Sequence, residues 1–241
     1  EKNKQIDLGF DIGIFNALNV VVDFYKRTSD IVMPANIPNF NGISGSVYMN
    51  AGQIENKGIE IQVSATPFKG EFSWETTLSW SKNNNKILSL ANNQNQLANA
   101  KAGTKWSNVI RNYVGRPMGD MYMLKVIGTF NTEEDLAKYA TNGTQGIGDL
   151  IFEDYKKDGT IDVNDYQLVG NYQPDFTFGW NNTFKYKDLD LAITIDGQCG
   201  GNVIYAAARA FSLNRYDDNV LAESGLGRWI SPTNTGNGTS H

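Results

Sequence analysis

The chain has 241 residues, a formal net charge of −5 and a pI near 5.0, so it has material for a sizeable core but no basic surplus to favour nucleic acid as a partner. Mean hydropathy is −0.40, and no apolar run reaches roughly 18 residues. These facts exclude membrane-spanning helices but leave open a membrane β-barrel, whose lumen positions are polar. One cysteine, Cys199, and one histidine, His241, exclude an internal disulfide and argue against a Cys/His zinc site.

The opening Glu-Lys-Asn-Lys is neither a signal peptide nor a start with methionine, and Thr233 to His241 has loop composition. A piece of a longer chain is expected. Gln5 to Phe15 predicts a first strand, because Ile6, Leu8, Phe10, Ile12 and Ile14 alternate with Gln5, Asp7, Gly9, Asp11 and Gly13. After the short link Asn16-Ala17, a second strand is expected from Leu18 to Arg27, with Val20, Val22 and Phe24 opposed to Val21, Asp23 and Tyr25. Thr28 to Gln53, with Pro34, Pro38, Gly42, Gly45 and Gly52, reads as a long loop. The third strand is Asn56 to Thr66, followed by a tight turn at Pro67 to Gly70. In the fourth, Phe72, Trp74, Thr76, Leu78 and Trp80 face away from Glu71, Ser73, Glu75, Thr77 and Ser79.

Lys82 to Asp120 and Asn142 to Gln173 read as irregular, and Met121 to Phe130 as a poorly alternating strand. Between them Thr132-Glu-Glu-Asp135 opens a short helix to about Ala140, since the Thr and Asp side chains can satisfy free N–H groups reciprocally. Tyr172 to Gln198 predicts a long hairpin about Lys187-Asp188. Phe176, Phe178, Trp180, Phe184 and Tyr186, then Leu189, Leu191, Ile193 and Ile195, form its apolar wall. Val203 to Phe211 is expected to be a short helix, and the remainder loop.

Short links alternate with long connections, and each clean strand has the length needed to cross a bilayer at a tilt. The expected fold is therefore all-β: a portion of an antiparallel transmembrane β-barrel with long extracellular loops and one or two short helices. A soluble β-sandwich binding carbohydrate, with a calcium-stabilised loop, is the rival reading. In the barrel, Phe15, Phe68 and Tyr186 would be interfacial rings, and Asp7, Asp11, Asp23, Glu60, Glu71, Glu75, Asp190 and Asp196 would face a water-filled lumen.

Asp154 to Asp165 has the rhythm of an EF-hand loop. Asp154, Asp158, Asp162 and Asp165 take positions one, five, nine and twelve, Gly159 permits the sharp turn and Thr160 offers its carbonyl, a candidate Ca2+ set. Lys156 sits where a ligand oxygen belongs, and Asp165 replaces the bidentate Glu. An Asx-rich turn that spends its carboxylates on backbone N–H groups is the competing explanation. Trp106, Tyr113, Tyr172, Tyr205, Tyr216 and Trp229 fall in expected loops, where flat rings could stack on sugars; Trp106, Tyr113, Tyr205 and Trp229 are the candidate substrate-binding residues. No nucleophile–base pairing is visible, and Glu133-Glu134 and Asp217-Asp218 read as solvated charge, so no enzyme activity is expected.

Several segments resemble the SusC/RagA family of TonB-dependent outer-membrane transporters. Asn50 to Glu60 is similar to that family's strand-entry motif, Gly148 to Asp162 to its acidic loop, and Gly170 to Gly179 to the segment that follows. Asp23 to Ile31 and Gly128 to Asp135 fit the same order. The resemblance implies the C-terminal part of a barrel of roughly 22 strands in the cell outer membrane. It also implies import of glycans or peptides with a SusD-like surface lipoprotein, powered by TonB through a part of the protein outside this chain, with outer-membrane lipid around it.

Overall fold

The computed structural model describes residues 2–15, 17–36, 46–90, 95–96, 100–102, 106–205 and 221–237. In chain order the elements begin with β1 (Asn3–Ile14), β2 (Leu18–Asn36), β3 (Ser46–Phe68), β4 (Phe72–Leu90), β5 (Ala100–Ala102), β6 (Trp106–Ile110), β7 (Asp120–Met123) and β8 (Val126–Thr129). Then come α1 (Glu133–Lys138), β9 (Leu150–Phe152), β10 (Gln167–Asn171), β11 (Pro174–Tyr186), β12 (Leu189–Gly200) and α2 (Ala222–Leu226). The chain divides into two compact units, one of 1–98, 111–120 and 171–202, the other of 99–110, 121–170 and 203–241.

The first unit is an antiparallel sheet in the order β1-β2-β3-β4-β11-β12. Its register aligns the alternation of every strand. Phe10, Val22, Ile61, Trp80 and Phe178 lie in one row across five strands, and Ile12, Val20, Val63, Leu78, Trp180 and Ile195 in the next. Between these rows, on the other face, run Asp11, Val21, Gln62, Ser79, Gly179 and Asp196. A one-residue slip would exchange the faces, so the apolar pattern excludes every pairing offset by an odd number of residues. The Lys187-Asp188 link closes the last hairpin with Lys187 at φ 53°, the left-handed turn that matches strand twist.

The apolar face stays open: Ile6 is 74 %, Phe10 52 % and Leu189 75 % exposed. The expected sandwich core would bury these side chains, so the soluble rival is corrected here; such a face needs an apolar solvent. Among the described residues β1 and β12 each pair on one side only, so the barrel is not closed within this chain.

Two expectations about length also change. Thr28 to Gln53 is mostly strand, because β2 runs to Asn36 and β3 starts at Ser46. The fourth strand likewise continues to Leu90. Glu71 lies in the bend before β4 rather than in the strand.

Near the short turns the apolar face becomes aromatic. Trp74 stacks on Phe184 with centroids 5.8 Å apart, Phe72 on Phe184 at 6.4 Å, and Phe68 on Trp74 at 6.1 Å. Two polar residues, Thr76 and Asn182, interrupt this face directly opposite each other. Each is satisfied by an indole reaching diagonally: Trp74 Nε1 donates to Asn182 Oδ1 at 3.1 Å and Trp180 Nε1 to Thr76 Oγ1 at 2.9 Å. Asn182 is buried beneath the rings. Trp74→Phe is therefore expected to destabilise the full barrel by about 1–3 kcal/mol, the cost of an unsatisfied buried amide. Trp74→Phe combined with Asn182→Leu should recover most of that loss in urea unfolding from lipid vesicles; a double variant as unstable as the single one would refute the pairing.

The second unit holds a small sheet, β10-β7-β6-β5, and the pair β8-β9. The expected strand from Met121 to Phe130 is two strands in different sheets. The expected helix at Thr132 is present: Thr132 Oγ1 accepts from Asp135 N at 3.2 Å, and Asp135 Oδ2 from Thr132 N at 3.1 Å. Asp thus completes the box in place of Glu. Residues 203–205 are not helical, and the rest of the helix expected at Val203 to Phe211 lies outside the described residues. A short helix forms instead at α2.

Candidate functional site

The polar face of the six strands forms a trough of about 660 Å³. Asp23, Glu60 and Asp196 line it with Gln62, Ser79, Ser81 and Thr177, and no basic side chain takes part in this lining. Asp23 stands opposite Glu60 on neighbouring strands. Like charges so placed are tolerated only where water screens them, which marks the face as wet. The hydroxyls are laddered: Ser81 Oγ and Thr177 Oγ1 are 2.8 Å apart, Ser64 and Thr77 3.2 Å, and Thr194 donates to Asn181 at 2.9 Å. Asp7, Asp11, Glu75 and Asp190 share this face by register, as expected.

Toward the loop end the same face turns apolar. Ile54, Ile87 and Leu90 are buried there against Ile31, Val114 and Met118. Val114 and Met118 belong to a strap, residues 111–120, that folds back onto the sheet: Ile87 N donates to Arg116 O at 2.9 Å and Gly115 N to Ile87 O at 2.8 Å. An amide ladder leads to it, in which Tyr25 Oη donates to Asn83 Oδ1 at 3.0 Å, Asn83 and Asn85 both donate to Asn56 Oδ1, and Asn85 Oδ1 accepts from Met118 N at 2.9 Å.

The strap closes on a buried carboxylate. Asp120 is 1 % exposed, ion-paired to Arg116, and accepts from Asn171 Nδ2 at 2.8 Å. Gly119 N donates to Asn112 Oδ1 at 2.7 Å, and Asn171 and Gln173 both donate to Met118 O. Gly119 has φ +85°, and the Tyr172 ring occupies the space a Cβ there would need. Tyr172 is thus held as a packing ring. Sequence reasoning missed this knot because its members, Asn112, Asp120, Asn171 and Gln173, are polar and lie far apart in the chain; Gly115 and Gly119 were the visible signal of a chain that bends sharply.

The acidic loop spends its carboxylates on its own backbone. Asp154 accepts from Lys157 N at 2.5 Å, Asp158 N at 3.3 Å and Gly159 N at 2.8 Å. Asp158 accepts from Thr160 N at 3.0 Å and Asp162 from Asn164 N at 2.6 Å. Asp165 is fully buried and accepts from Lys156 N at 3.1 Å and Asp162 N at 2.8 Å. Among the described residues no group of three or more acidic, cysteine or histidine side chains is gathered as a metal site. Beside this loop, hydrogen bonds from Lys125 and Gln167 hold the Glu153 carboxyl below its ordinary value.

The four candidate substrate-binding aromatics belong to different units. Tyr113 is half-buried in the strap and pairs its backbone with Gln96. In the second unit Trp229 donates to Asn131 Oδ1 at 2.9 Å and packs on Gly148, which has φ +97°. Tyr205 is 64 % exposed. Trp106 pairs its backbone with Ala102 in β6, and its side chain lies outside the described residues, as do Tyr216, Asp217-Asp218 and His241. Glu133-Glu134 forms the acidic first turn of α1.

A family described as TonB dependent receptor-like, beta-barrel, matches residues 1–122. Among curated relatives, TonB-dependent receptor P3 of Formosa agariphila is 29 % identical over 98 % of this chain and 24 % of its own length. TonB-dependent receptor SusC of Bacteroides thetaiotaomicron is 23 % identical over 96 % of this chain and 24 % of its own. The chain thus spans about a quarter of these relatives. Of solved structures, the RagAB peptide importer in its open-open state aligns with a TM-score of 0.64 at 20 % identity, over 83 % of this chain and 20 % of that one, which supports the fold. With half its length matched, and with one lipid-suited and one water-suited face on a single sheet, the chain belongs to the TonB-dependent receptor β-barrel family of the outer membrane.

Proposed function

We propose that this chain is the C-terminal part of the barrel of a SusC-like transporter, which imports glycans or oligopeptides beneath a SusD-like surface lipoprotein and draws its energy from TonB through another part of the whole protein. The observation that carries the reading is the largely polar wall of Asp23, Glu60, Asp196, Gln62, Ser79, Ser81 and Thr177, backed by a largely apolar opposite face. Hydroxyls and carboxylates on a rigid wall exchange hydrogen bonds with a passing sugar or peptide without lowering any chemical barrier. With three carboxylates and no basic group lining it, this wall favours neutral or cationic solutes over sulfated or uronic ones. Tyr205 is the exposed loop aromatic offered to substrate, whereas Tyr113 and Trp229 chiefly hold loop to loop.

The test is uptake by cells carrying the whole transporter. Labelled neutral oligosaccharides or peptides should enter, and entry should stop when TonB or the surface lipoprotein is deleted. Uptake that persists without TonB would refute the energised reading, and equal uptake of a sulfated analogue would remove the role given to the wall. Calcium is expected to leave hydrogen exchange at residues 154–165 unchanged, since the carboxylates already serve amide donors; protection that rises on titration would support the metal reading instead.

A further inference from the structure

The outward face changes character abruptly at its loop end. The last row that is apolar on β1, β2 and β3 together is Leu8, Phe24 and Ile59, and it finishes at Lys82. One row farther out, Lys26 stands between Ile6 and Lys57, and one row beyond that come Lys4, Thr28, Glu55 and Lys86. Five lysines thus share this end of the outward face with a single carboxylate in these rows. Lys26 holds Glu55 at 2.9 Å, and Lys57 and Lys86 are near enough to attract the same carboxylate. Asp30 stands another row out, where its carboxylate accepts from Gln53 Nε2 at 3.1 Å. Lys26, Lys57, Lys82 and Lys86 are all exposed.

The collar sits at a meaningful height. From Phe72 at the short-turn end to Lys82 the strand advances by ten residues. At about 3.3 Å per residue and a tilt of about 40° this is about 25 Å along the membrane normal, the height of the apolar band of an outer-membrane barrel. The short-turn end carries stacked aromatic rings in place of lysines on the same face. Lysine is a point charge on a flexible stem, so a row of them suits phosphate groups spread across a surface better than one enclosed anion.

We propose that this collar binds the phosphate-bearing headgroups of glycolipids in the outer leaflet. The lysines lie just above the acyl chains that cover Leu8, Phe24 and Ile59, and several contacts of modest strength add up where leaflet and barrel meet. Fluorescent diphosphoryl lipid A, titrated into the full-length transporter in uncharged detergent micelles, tests this. Binding should weaken at least about tenfold in Lys26→Gln/Lys57→Gln/Lys82→Gln/Lys86→Gln, given about 1 kcal/mol per lysine at an anionic surface. It should also weaken by a similar factor for wild type with chemically dephosphorylated lipid A, and fall as salt rises. The wild-type arms hold even where the quadruple variant, checked by heat-modifiable gel mobility, fails to fold. Equal binding of dephosphorylated lipid overturns the proposal. So does undiminished binding by a folded quadruple variant, and so does displacement of the lipid by millimolar inorganic phosphate, which would mark a site for the free anion.

Discussion

Val63→Arg in the full barrel is expected to cost about 2–4 kcal/mol of folding free energy, whereas Gln62→Arg, one residue away, should change it by less than about 0.5 kcal/mol. Val63 lies in the outward row of Val20 and Leu78, near half-way between the aromatic end and the lysine collar. An arginine there must reach water through hydrocarbon. Gln62 faces the trough, in the row of Asp11 and Asp196, where a cation meets water and carboxylates. Reversible urea unfolding in lipid vesicles measures both. Equal costs would mean that lipid does not contact the outward face, and the barrel reading would fall with it.

Asp120→Ala should loosen the strap, at a cost of about 2–4 kcal/mol. The carboxylate is buried and receives charge-assisted and amide hydrogen bonds, so its removal leaves Asn171 short of a partner in a dry site. The Arg116 side chain is 42 % exposed and can return to water, which keeps the cost below that of a fully buried pair. Hydrogen exchange should rise across residues 111–120, and Asp120→Asn, which keeps one acceptor, should fall between. Gly119→Ala provides an independent route to the same loosening, because a Cβ at positive φ would collide with Tyr172. Unchanged protection in both Asp120→Ala and Gly119→Ala would show that the knot does not hold the strap.

The parts legible in the sequence were those where one strand face meets an apolar medium. Ile6 to Ile14 and Phe176 to Ile195 announce their faces because nearly every outward position, Asn182 excepted, is apolar and most inward ones are polar. The helix at Glu133 was equally visible, since Thr132 and Asp135 act within one turn. Beyond the collar the rule lapses. There Ile31, Ile87 and Leu90 face Val114 and Met118 on the inward side while Lys86 is exposed on the outward one, so β2 and β4 continue as strand without the apolar-out pattern, and a reading by period alone ends them too soon.

The acidic loop illustrates a different limit. Its spacing offers oxygens in nearly the rhythm of a calcium site, and the same spacing serves turns in which Asp154 and Asp165 bond amide N–H groups. Only the fold decides which donors arrive. Trp229 and Tyr172 make the same point for aromatics: both sit in loops rich in candidate binding residues, yet Gly148 and Gly119 leave flat spaces that these rings fill.

By itself the sequence determined the two-faced hairpins and hence the kind of solvent on each side, because period-two alternation is a local property of the chain. Tertiary structure decided what covers the inward face at the loop end. There Ile54 and Ile87 meet Val114 and Met118, and Asp120 finds Asn171, across separations that no local pattern encodes. Lys26, Lys57, Lys82 and Lys86 likewise become one collar only when three strands lie side by side.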